Sequence, residues 1–101
     1  MSDENQIVVP PSFIALYVPP GRIKPTESRE FIAQRCEYCE DMANMLTETA
    51  QTQLWSLGIT EADVLERIAR GLADPAVGLS EAEAGWVLKR LAEILEWKVE
   101  E

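Results

Sequence analysis

The stretch from Thr26 to Leu57, TESREFIAQRCEYCEDMANMLTETAQTQLWSL, constrains the fold more than any other part of the chain. Placed on a helical wheel at about 100° per residue, Cys36, Cys39, Ala43, Leu46, Ala50, Leu54 and Leu57 fall in one stripe with Ile32. Phe31, Tyr38, Met42 and Met45 widen that stripe on one flank, and Glu37, Glu40, Asp41, Asn44, Glu48 and Gln51 make the opposite, polar face. The pattern predicts one amphipathic helix over about 27–57, N-capped by Thr26 and stopped at Gly58. Such a helix is roughly 45 Å long and needs partners on its apolar side.

Two further helices are signalled by their starts. T-E-A-D from Thr60 is close to a capping box, with Ile59 and Val64 at the positions of a hydrophobic staple. It opens a helix over about 61–73 with Val64, Leu65, Ile68, Ala69 and Leu72 on one face, and with Asp63 to Arg67 and Glu66 to Arg70 as i,i+4 pairs. ADPAVG then carries turn chemistry. Ser80 and Glu83 form an S-x-x-E box for a third helix over about 81–97, whose apolar side runs through Ala84, Val87, Leu88, Leu91, Ile94 and Leu95. Gly85 inside this helix points to close packing against a neighbour.

Ahead of these helices the chain is harder to read. Met1–Gln6 is expected to be a frayed tail. In IVVPPSFIALYVPPG the four prolines preclude one continuous regular element. Ser12 is placed to cap a short helical turn through Tyr17, but the β-branched and aromatic content favours an extended or irregular arm. Gly21–Pro25 is a linker whose Arg22 and Lys24, with Arg29 beyond, make the one locally basic patch. The expected architecture is all-α: an arm and linker over 1–25, then a small three-helix domain over 26–101 with a long first helix.

Composition bounds the function. A net charge of −9, from 18 acidic and 9 basic residues, disfavours nucleic acid and anionic membranes as partners. The acidic MSDENQ start and the proline-broken apolar run after it point to the cytoplasm, as do two cysteines poorly placed for a structural disulfide. With no histidine, histidine-assisted nucleophilic catalysis is excluded. No glycine precedes a lysine as a phosphate loop requires.

Candidate sites are therefore few. Cys36-Glu37-Tyr38-Cys39 offers two thiolates, but a zinc site wants four ligands, so it needs a second chain or nearby carboxylates. Otherwise the two cysteines are small core fillers. Glu37, Glu40, Asp41 and Glu48 crowd one face without a calcium-loop pattern and read as a solvated surface. Phe13, Ile14, Leu16 and Tyr17 in the arm either cover the core or form a proline-bounded docking peptide. Trp86 and Trp97, on one flank of the last helix, either anchor an interface or cover the core together with Trp55.

VVPPSFIALYVPPGR, T-E-A-D-V-L-E-R and LSEAEAGWVLKRLAEILEW together resemble a group of short bacterial proteins commonly labelled "ATPase with chaperone activity". The resemblance covers nearly the whole chain and implies association with a chaperone ATPase system; it brings no catalytic residues. The function expected from the residues is a non-enzymatic interaction or adaptor domain, without a cofactor, that binds another protein or its own copy through Phe13, Ile14, Leu16, Tyr17, Trp86 and Trp97. The alternative is a metal or redox role of Cys36 and Cys39 completed across a dimer. ATP hydrolysis, a third reading, lacks its machinery.

Overall fold

The computed structural model describes residues 8–98; the tail expected at Met1–Gln6 lies outside the described residues. In chain order the elements are α1 (Pro11–Ile14), a 3₁₀ turn (Ala15–Tyr17), α2 (Arg29–Leu57), α3 (Glu61–Leu72), a second 3₁₀ turn (Pro75–Val77) and α4 (Glu81–Leu95). The fold is all-α, and no strand occurs among the described residues. The chain divides into two compact units, Met1–Tyr38 and Cys39–Glu101, with the division falling inside α2.

In the first unit the arm is helical, which corrects the extended or irregular form expected for it. Pro10 sits at the N-cap position with φ −66° and ψ 149°, and Pro11 opens the helix. A proline there loses nothing, because the first helical N–H groups have no intrahelical partner. The Pro10 carbonyl accepts from the Phe13 and Ile14 amides at 3.0 and 3.2 Å. The turn ends at Val18, which Pro19 holds extended. Proline stereochemistry thus outweighs the β propensity of the side chains, and the start falls at Pro10 rather than Ser12.

Beyond the arm, the Arg22 amide donates to the Pro19 carbonyl at 3.0 Å, with Gly21 at φ 79° where a type II turn requires positive φ. The Thr26 amide and hydroxyl both donate to the Tyr17 carbonyl, at 2.8 and 3.2 Å. Thr26 is therefore not the cap of α2. Ser28 takes that role, its Oγ accepting from the Phe31 amide at 3.1 Å, and the helix starts at Arg29 instead of 27.

In the second unit, α2 ends where expected: Gly58, at φ 63°, donates its amide to the Leu54 carbonyl. Thr60 and Asp63 form a capping box, the Asp63 amide donating to Thr60 Oγ1 at 3.0 Å. Because the Asp63 carboxylate turns back to the Thr60 amide, the expected pair with Arg67 does not form; Arg70 does meet Glu66 at 3.1 Å. The Asp74 side chain accepts from the Ala76 amide, ending α3 in an Asx-type turn before Pro75. Ser80 and Glu83 make the second box, with reciprocal bonds of 2.9 and 3.0 Å. Glu83 is buried, and the Ser80 amide satisfies its carboxylate. α4 stops at Leu95, two residues before the expected end. Glu96 adopts φ 60°, and the Trp97 and Glu96 amides donate to the carbonyls of Ala92 and Glu93 as in a Schellman motif.

Cys39, Ala43 and Ala50 from α2, Val64, Leu65, Ile68 and Leu72 from α3, and Val87 and Leu91 from α4 are buried. They follow the anticipated stripes, and α3 and α4 pack against each other. Gly85 does not serve that packing: it is exposed, and a Cβ built on it meets nothing within 4 Å. Gly85→Ala is therefore expected to stabilise the chain by about 1 kcal/mol, a rise of roughly 5 °C in thermal midpoint. An unchanged or lowered midpoint contradicts the open surroundings assigned to this glycine.

Candidate interaction surface

The residues singled out in the sequence separate by burial. Phe13 is fully buried, and Ile14, Leu16 and Tyr17 are part-buried. The Phe13 ring lies 5.5 Å from that of Tyr17, which in turn meets Phe31 edge-on at 6.1 Å. Those residues belong to the first unit; Trp86 and Trp97, both part-buried, belong to the second. Cys36 and Cys39 are buried, at 4% and 0% exposure, and neither is in a disulfide. No group of three or more His, Cys, Asp or Glu is placed to hold a metal ion among the described residues.

The most exposed aromatic described is a different residue. Trp55, near the end of α2, is 85% exposed, and Met45 on the same helix is 68% exposed. Covering the core together with Trp86 and Trp97 was one of the two readings open for Trp55, and at 85% exposure it does not do so. It lies 23 positions after Ile32, which at about 100° per residue turns it roughly 140° from the core stripe. The periodicity that located the core also places this tryptophan on the polar side.

Around it, Asp41, Glu48 and Trp55 repeat at seven-residue intervals, so they line one side of α2 over roughly 21 Å. Asn44, Met45, Gln51 and Thr52 lie between them, and all seven are exposed. A shallow open depression beside Trp55 is lined by Gln51, Thr52, Leu54 and Ser56. In the first unit, Ile23 is 92% exposed between Arg22 and Lys24.

Glu40 leaves the solvated acidic face to which it was assigned. Arg90 of α4 holds it in a fork, Nε to Oε1 at 2.8 Å and Nη2 to Oε2 at 3.0 Å, while Asn44 Nδ2 also donates to Oε2. Arg90 Nη1 reaches Glu93 at 3.1 Å. The Arg90 hydrogen bond, opposed by partial burial and aided by Asn44, draws the Glu40 carboxyl below its ordinary value of 4.5. A lowered folded-state value means that the pair's contribution is fully present above about pH 4.5 and is lost as pH falls through the folded value. About a third of each side chain is exposed, so solvent screens the pair. Glu40→Gln should cost about 1 kcal/mol at neutral pH. Urea titrations should show the gap between variant and wild type closing in acid; a gap independent of pH contradicts the pairing.

Fold and surface together define a small all-α protein with an outward-facing tryptophan on an acidic helix face. No helix among the described residues is long and apolar enough to cross a membrane. In comparisons with protein-family models, curated proteins and solved structures, nothing matches the chain.

Proposed function

We propose that this chain is a non-enzymatic interaction module that binds another protein through the outer face of α2 around Trp55. The observation carrying this reading is the 85% exposure of Trp55, with Met45 at 68% on the same helix. Tryptophan is enriched where interfaces concentrate their binding energy. Ile14, Leu16 and Tyr17 of the first unit, and Trp86 and Trp97 of the second, keep accessible edges as candidate contacts of their own units, whereas Phe13 is fully buried. The resemblance to bacterial proteins labelled for ATPase and chaperone activity makes a chaperone ATPase system the first place to seek the partner. A metal or redox role of Cys36 and Cys39 is less well supported, because both side chains are buried and a second chain would have to reach them.

Site-specific photo-cross-linking tests the reading. With p-benzoylphenylalanine in place of Trp55, irradiated cells should yield a discrete protein adduct that is absent when the probe replaces exposed Arg67 of α3. Indistinguishable adduct patterns at the two positions would overturn it.

A further inference from the structure

Resting on the interaction reading above, we infer that the Asp41–Glu48–Trp55 stripe takes a basic segment of its partner protein, with an arginine stacked on the Trp55 indole. Charge complementarity selects this occupant. From residue 36 to residue 66 the chain has no lysine or arginine, so no cation of α2 lies along the stripe; the helix's own two, Arg29 and Arg35, precede Asp41. Asp41 and Glu48 are exposed and form no ion pair among the described residues, in contrast to Glu40, which Arg90 neutralises.

The end of the helix adds to this field. The last turn of α2 has no basic residue, and the carbonyl end of a helix carries about half a negative charge. Trp55 stands in that turn, so a cation above its ring meets the π face and the helix end. Indole is the best aromatic acceptor for a cation, and a planar guanidinium stacks on it where an ammonium cannot. A second basic residue roughly 10 Å from the first would reach Glu48. A net charge of −9 on each chain opposes a second copy as the occupant.

The test is an NMR titration of the full ¹⁵N-labelled chain with a capped, alanine-rich helical peptide bearing arginines one heptad apart. The Trp55 indole N–H and the amides of the stripe should shift saturably. Trp55→Ala should weaken binding about 30-fold. Glu48→Gln should weaken it roughly fivefold, and replacing the peptide's arginines with lysines roughly threefold. The exposure of both positions keeps the variants folded, which the dispersion of the same spectra verifies. Absence of saturation overturns the inference, as does equal binding by Trp55→Ala, which would reduce the effect to net charge. Movement of the Trp55 signals on diluting the chain alone overturns it in favour of a second copy. A discrete adduct at position 55 whose contacting segment lacks arginine and lysine also overturns it, while leaving the interaction reading in place.

Discussion

Phe13→Ala is expected to cost about 3–5 kcal/mol, an effect on the scale of fully buried aromatic truncations. The ring is 0% exposed and lies against Tyr17, whose own ring meets Phe31 edge-on. Its removal takes away the largest buried side chain of the arm and leaves Tyr17 without its neighbour. The measurement is amide hydrogen exchange. Protection should fall first at Phe13, Ile14 and Thr26, whose amides bond the carbonyls of Pro10 and Tyr17. Unchanged exchange at these sites would mean that the arm is anchored by something other than this ring.

Leu91→Ala should destabilise the second unit by about 2–5 kcal/mol in urea unfolding, because Leu91 and Val87 are wholly buried on α4. Trp55→Ala, on the same scale, should fall within about 0.5 kcal/mol of wild type, as exposed positions do. This contrast separates side chains that hold the fold from the one proposed to meet a partner. A small loss at Leu91, or a large one at Trp55, contradicts that division.

Signals that act within a few residues were legible in the sequence. Thr60 with Asp63 and Ser80 with Glu83 cap their helices as their spacing indicates, and the Cys39, Ala43 and Ala50 stripe is buried as the wheel places it. Gly58 stops α2 for the conformational reason that singled it out. Features decided by competition or by distance were not legible. Thr26 had a good capping side chain, but the Tyr17 carbonyl claimed it and left Ser28 to cap the helix. The arm's prolines read as breakers, yet one of them suits the first turn of α1. The Glu40–Arg90 fork joins residues 50 positions apart, which no local rule pairs. Gly85 looked like a close-approach residue but faces open space.

Trp55 is a case of another kind. Its angular position, roughly 140° from the core stripe, was legible, whereas residue type alone left it between core and interface. The surface built around it therefore follows from the structure, whereas Phe13, Ile14, Leu16, Tyr17, Trp86 and Trp97 came from composition and spacing.

Hydroxyl-radical footprinting of the three tryptophans, in the purified chain and again inside cells expressing it, tests the central claim most directly. In dilute solution Trp55 should oxidise much faster than part-buried Trp86 and Trp97, and in cells its oxidation should fall while theirs changes little. A Trp55 already protected in the dilute chain would contradict the exposure on which the account rests, and a Trp55 equally reactive in cells would contradict its role as the contact surface.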